Sequence, residues 1–395
     1  MKRVAVLLIV LLGITASADA APKAISVKKL LVVAPAPGAE GLVISGKTLV
    51  TYSNTSGINS NVVVTGLDSN GATLWQKTID SGADEIALAA SVDSNGDIWL
   101  AGDSAALTPS DTATTQLPPD NPDGVIVEPQ SSIRNDMNQL TVWKVSPLGE
   151  LIATYTQTQK TPPLVNAISI NASGAAIVGQ IADKPYVVSV SATGTFGKLI
   201  NVGTSKTQLN AVIRNSDGSA SVFGSSSETL GGKKNAGIRD GVLLKINKAG
   251  AITSVVRSSA SKAVRSWNSS DPSLVLTGSI KTGKKNESAF TKFTSAFVPS
   301  WTIRIPSNGI SLVTSAGGIT YGVMGSNTVI PGISGWKPTS TQLLLLILDG
   351  KGLVTSAYGA TELSFPTAVA YSKVLGLYGL ALAGDGSVSI FRQSI

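Results

Sequence analysis

A unit of four short β-strands recurs along this chain, and it constrains the fold more than any single motif does. Its clearest copy spans residues 209–258, LNAVIRNSDGSASVFGSSSETLGGKKNAGIRDGVLLKINKAGAITSVVRS. Two alternating runs flank the turn Ser216-Asp217-Gly218, a loop rich in Gly and Lys follows, and two further runs flank Lys248-Ala249-Gly250. Alternation of period two marks half-buried strands, and glycine-bearing turns supply the positive φ that a tight hairpin needs.

The same order of signals returns elsewhere. First strands are recognisable at Gly41, Glu85, Val165, Leu209, Val264, Ile310 and Pro366. A turn follows most of them, as at Asn95-Gly96, Ser173-Gly174, Asp271-Pro272 and Gly317-Gly318. Second strands end in glycine and a small or polar residue: Gly102-Asp103, Gly179-Gln180, Gly224-Ser225, Gly278-Ser279, Gly325-Ser326. Third strands are apolar and run into a polar turn closed by glycine, at Gly71, Gly149, Gly194, Gly250 and Gly352; the copy at 282–304 is degenerate. Four strands per unit, at a spacing of roughly forty residues plus insertions, is the sign of propeller blades. After Pro366 only three strands remain, while an orphan strand lies at residues 25–34. The expected fold is therefore all-β: a seven-bladed β-propeller of four-stranded antiparallel blades, closed by pairing of the N-terminal and C-terminal strands. It would fill residues 21–395 as one domain without an exposed edge.

Composition agrees. A single ordinary core serves at most roughly 250–300 residues, so 395 residues without cysteine require repeats held by packing alone. Histidine is absent too, which removes the commonest metal ligand and general base. No cofactor is implied, and no nucleic-acid motif is present. Lys2 and Arg3, the apolar run 4–12 and Ala18-Asp19-Ala20 read as a signal peptide at residues 1–20, cleaved after Ala20. That run is far short of the ~20 residues a membrane span needs. The run 342–348, QLLLLIL, is strand length, so no transmembrane segment is expected. The expected location is secreted, periplasmic or cell-surface.

Charge is two-sided. Residues 66–136 hold twelve acids against Lys77 and Arg134, whereas 181–304 hold seventeen Lys or Arg against six acids. Lys233, Lys234 and Arg239 lie between the second and third strands of one unit, and Lys281, Lys284 and Lys285 lie there in the next. These two loops lack the Ser/Thr and the helix of a phosphate loop, and they should open on one face as an anion-binding patch. The insertion 107–139, acidic and proline-rich, occupies the equivalent position and is expected to be disordered. Trp336 lies near a loop, where it would stack on a sugar or peptide. Asp93, Asn95 and Asp97 place oxygens as a calcium loop does, but Ile98 and Ser104 replace its Gly and Glu; a plain hairpin turn competes with the metal reading. Asp84, Glu85, Asp103, Glu228, Asp240 and Glu362 fall near strand ends. Glycosidase chemistry needs two carboxylates facing across a sugar, and no spacing pairs any two of them.

One blade carries a family resemblance. Gly218-Ser-Ala-Ser-Val-Phe-Gly224-Ser-Ser, a glycine-bearing loop, then Arg239-Asp240-Gly241-Val-Leu-Leu-Lys245-Ile resembles the bacterial SBBP-type β-propeller repeat, G-x-x-Y-V-x-G-x-T followed by D-A-F-V-x-K-L. The Asp and Lys are missing from the other units. The resemblance implies a propeller in an exported bacterial protein and no catalytic residues. The functional expectation is a binding or scaffold module for an extracellular protein, glycan or anionic polymer; the alternative is an extracytoplasmic, glycosidase-like hydrolase. Oligomeric state is not legible.

Overall fold

The computed structural model describes residues 24–56, 59–106 and 136–394. The signal-peptide reading of 1–20 and the reading of 107–135 as disordered lie outside the described residues. The insertion is shorter than expected: Met137 is buried and Gln139 already opens the strand Gln139–Val145.

The described chain is all-β, and its strands fall into sheets in sequence order. We number the sheets I to VII by their first strands, Ala39–Ser45, Glu85–Val92, Pro163–Asn171, Thr207–Arg214, Ala263–Asp271, Asn308–Ala316 and Leu363–Ser372. Each begins as an antiparallel meander. In sheet IV, Thr207–Arg214 pairs with Ala220–Ser226, that with Asp240–Ile246, and that with Ile252–Ser258. The first strand of each sheet packs against the first strand of the next, and Leu363–Ser372 packs against Ala39–Ser45. Aliphatic clusters fill the clefts between neighbouring sheets, and Trp99, Trp143 and Trp267 are fully buried there.

Two expectations need correction. Six sheets are four-stranded blades, but sheet VI carries six strands, because Ile25–Lys29 and Ile333–Ser334 add to its outer edge. Nor is the N-terminal segment a single strand over 25–34. Ile25–Lys29 runs parallel to Val354–Ala360 of sheet VI, and Leu31–Pro35 runs antiparallel to Val388–Arg392 of sheet VII. The break falls at Leu30, which is fully buried among Leu343, Tyr358 and Phe391. Burying that side chain between two sheets turns the strand from one edge to the other.

The repeated glycines have two structural causes. Every first strand carries a register shift, in sheet IV between Leu209 and Ala211. The shift drives the Gln208 carbonyl into the space a Cβ on Gly224 would fill, and Gly102, Gly179 and Gly278 meet the same obstacle. The glycine of the third turn receives a side chain from the sheet before it. Trp75 lies over Gly149, which has φ +88°, and Ala34 of the N-terminal strand lies over Gly71 in the same way.

In such a meander, the second-to-third connections and the passages between sheets share one face, called upper here. The first-to-second and third-to-fourth turns share the lower face.

Candidate anion-binding site

The upper end of the cleft between sheets IV and V brings Arg239 and Lys285, two of the cations that the sequence singled out, together with Arg265 and Arg304. The connection 226–240 first makes a tight turn, in which Leu230 and Lys233 exchange backbone hydrogen bonds around Gly231 and Gly232, both at positive φ. Lys233 and Lys234 are thereby thrust into solvent. The chain then folds back across the cleft, where the Ile238 and Arg239 N–H groups donate to the Ala263 carbonyl of sheet V. Asp240, fully buried, anchors this return by accepting N–H donors from Ala236 and Gly237 at 2.9 Å each, beside Arg257 at 3.3 Å. Burial alone would raise its pKa, but those donors outweigh it and hold the carboxyl below its ordinary value.

Sheet V supplies the opposing wall. Cross-strand partners share a sheet face, and the registers Arg265–Ile280–Glu287 and Trp267–Gly278–Ala289–Arg304 align two rows. Trp267 packs with Phe223 and Leu243 of sheet IV, so this face looks into the cleft. The Arg265 guanidinium lies 4.4 Å from the Trp267 ring centroid. Neither the Arg265 Nε nor the Trp267 Nε1 has a hydrogen-bond acceptor. Burial, and then the charge of Arg304, pull the Arg265 pKa down to about 10. Glu287 is 6% exposed and is already held by Lys285 at 2.8 Å and Arg304 at 2.6 Å. Arg239 and Arg265 are left without a carboxylate partner among the described residues. An arginine fork stacked on an aromatic ring suits a planar carboxylate, sulfate or phosphate.

Among the sequence-selected residues, Arg239 and Lys285 enter this cleft. Lys233 and Lys234 stand exposed on a turn that packs, through Leu230 and Gly231, on the sheet III side of sheet IV. Lys281 alternates with Ile280 and so lies on the opposite face of sheet V. With the exposed Lys284 they have no ion pairs among the described residues. Arg265 and Arg304 were missed; the available signal was Arg265-x-Trp267 on a first strand, two positions apart and so on one face.

Trp336 and the Asp93 turn are both committed within the fold. Trp336 is 3% exposed, donates its Nε1 to the Thr328 carbonyl at 3.0 Å and packs over Gly359, so its ring has no open side for a sugar or peptide. The Asp93, Asn95, Asp97 group is a hairpin turn whose cation is Lys144, 2.8 Å from Asp97 and 3.6 Å from Asp93. Asp93 also accepts the Asn95 and Asp97 N–H groups and the Trp99 indole N–H.

The carboxylates offered for hydrolysis are mostly structural. Glu228 accepts three hydrogen bonds from Thr204 and Thr207. Glu85 and Asp103 point to opposite sides of sheet II, since Glu85 pairs with Ser104 and Asp103 with Ile86. Asp103 is buried with Oδ1 unpartnered, and burial raises its pKa to about 7. The Tyr186 hydroxyl, also buried and unpartnered, is pushed up by burial and then by the Asp103 charge. Because the native state holds the Asp103 proton and the unfolded chain releases it near pH 4, stability should fall as pH rises from about 4 to about 7. The loss is at most about 4 kcal/mol. Thermal melting from pH 4.5 to 8 should show that decline, and Asp103→Asn should flatten it and raise the melting temperature at pH 8. An unchanged slope in the variant would assign the decline to other groups.

No family model matches the sequence, and no curated protein matches it. Solved structures do. The β-propeller domain of the trilobed protease from Pyrococcus furiosus, described as having an open velcro topology, aligns with TM-score 0.51 at 7% identity, covering 91% of this chain and 96% of that one. The WD40 domain of Toxoplasma gondii coronin gives 0.52 at 12% identity, covering 93% and 88%. A putative 6-phosphogluconolactonase from Bacteroides uniformis gives 0.52 at 10% identity, covering 88% and 93%. At such identities the likeness establishes the fold, a β-propeller of four-stranded antiparallel blades, and nothing about chemistry. A propeller is consistent with a binding or scaffold module.

Proposed function

We propose that this chain is an exported seven-bladed propeller that binds anionic polymers or surfaces outside the cytoplasm through its upper face. Sheet VI counts as the remaining blade in this reading, since its first four strands form the same meander as the others. Leu31–Pro35 supplies the outer strand of sheet VII and thereby closes the ring. The signal-like pattern of residues 1–20 and the resemblance of residues 218–250 to SBBP-type repeats support export. Among the described residues no helix is long and apolar enough to cross a membrane.

The observation that carries the ligand class is Arg265. A largely buried guanidinium costs desolvation energy, and here no carboxylate offsets it. Arg239 and Arg304 flank it, and four exposed lysines extend the positive field outward. The hydrolase alternative draws no comparable support. Its carboxylates are held in turns and loops, or sit buried between sheets as Asp103 does.

The test is binding of the mature protein to dextran sulfate, with uncharged dextran as control. Dextran sulfate should bind and dextran should not, and affinity should fall steeply between 50 mM and 500 mM salt as screening shortens. Replacing Lys233, Lys234, Lys281 and Lys284 together by Gln should weaken binding at least tenfold without moving the melting temperature. Binding that ignores salt or this variant overturns the proposal.

A further inference from the structure

Sheet III departs from its siblings. Its fourth strand is only Ile200–Asn201, paired with Tyr186 and Val187, whereas in sheet IV the outer strand accompanies the third from Gly241 to Ile246. Between Ser191 and Leu199 the chain leaves the regular ladder, held by the turn in which Ser191 N–H donates to the Thr195 carbonyl, the isolated bridge Val190–Phe196 and the Gly197 N–H on the Ser189 carbonyl. The missing strand leaves a cavity of about 510 Å³ between sheets III and IV, continuous through Ser189, Arg214 and Lys248 with a second of about 440 Å³. These are ligand-sized volumes.

The floor is apolar, made by Ala176, Val187, Ala220 and Ile246. The walls carry Lys198, Arg214 and Lys248. Arg214 is pinned: its N–H donates to Ser169 Oγ at 3.0 Å and its Nε to Ser173 Oγ at 3.1 Å. Its two terminal nitrogens make no hydrogen bond among the described residues, although, after the Ser219 hydrogen bonds, its charge also holds the nearby Asp217 carboxyl lower. The one acid of the lining, Asp217, spends Oδ1 on the Ser219 N–H and hydroxyl of its own turn. Ser191, Asn201 and Asn247 complete a polar rim.

We propose that this groove binds an acidic sugar unit, with Arg214 gripping the carboxylate, the rim meeting ring hydroxyls and the apolar floor taking a flat face of the ring. A fixed guanidinium fork matches a carboxylate better than a point charge does. The apolar floor and neutral hydrogen-bonding rim distinguish the site from a bare anion hole. Arg214 and Lys248 lie at first-to-second and third-to-fourth turns, so the groove opens on the lower face and does not depend on the upper-face reading.

The experiment is calorimetric titration of the mature protein with trigalacturonate, maltotriose and sodium sulfate. Trigalacturonate should bind and maltotriose should not. Arg214→Gln should weaken trigalacturonate at least tenfold and Arg214→Lys less, whereas the four-lysine upper-face variant should bind it as wild type does. Should Arg214→Gln misfold, Lys198→Gln with Lys248→Gln must still weaken binding several-fold. No trigalacturonate binding, equal binding of maltotriose, or displacement by sulfate at equal concentration would each overturn the assignment. So would loss of binding in the upper-face variant.

Discussion

A chain lacking residues 24–35 should melt at least about 5 °C below the chain that retains them and self-associate on warming. The deletion removes Leu30 from between sheets VI and VII, a burial worth about 2–3 kcal/mol on its own. It also strips Leu31–Pro35 from Val388–Arg392, leaving an unpaired strand edge. The contact of Ala34 over Gly71 goes as well, and with it a tie between sheet VII and sheet I. For a chain of this length each kcal/mol shifts melting by only about 1.3 °C, so Leu30 accounts for roughly 3–4 °C and the lost strand pairing supplies the rest. A synthetic peptide of residues 24–35 added in excess should recover part of it. An unchanged melting temperature would mean that the N-terminal strands decorate the ring rather than close it.

The second large effect is expected at Gly224→Ala. The new methyl would fall well inside contact distance of the Gln208 carbonyl oxygen. That oxygen belongs to a bulged inner strand packed on both neighbours, so neither side can yield cheaply. Overpacking of this kind costs about 3 kcal/mol, and here the opposing atom is backbone rather than a flexible side chain. Gly232→Ala is the control: its φ is +73° and nothing lies near its missing Cβ. Only the left-handed backbone penalty of about 1 kcal/mol should appear there. Urea denaturation of both variants decides the matter; equal midpoints would refute the bulge account of the repeated glycine.

Period-two alternation and turn glycines made the blades legible, because both report on one chain segment at a time. What escaped was set by neighbours far away in sequence. Residues 25–34 read as one strand, since only the pocket around Leu343, Tyr358 and Phe391 shows why Leu30 must turn inward. Trp336 sits among glycines and prolines and reads as a loop tip, yet Gly359 across the sheet offers it a bed. Asp93, Asn95 and Asp97 look like open oxygens until Lys144 arrives from the third strand. In the candidate site, the surface lysines were visible as a run of like charge, which needs no fold to see. Arg265 was not, because its significance is its depth beside Trp267 and its want of a carboxylate.

Hydrogen-exchange footprinting of the mature protein with and without dextran sulfate tests the central claim most directly. Protection is expected over 231–239, 263–267 and 281–287, with the lower-face turns at 214–219 and 246–251 unaffected. Protection confined to those lower turns, or spread evenly over the ring, would contradict an upper-face anion site centred on Arg265.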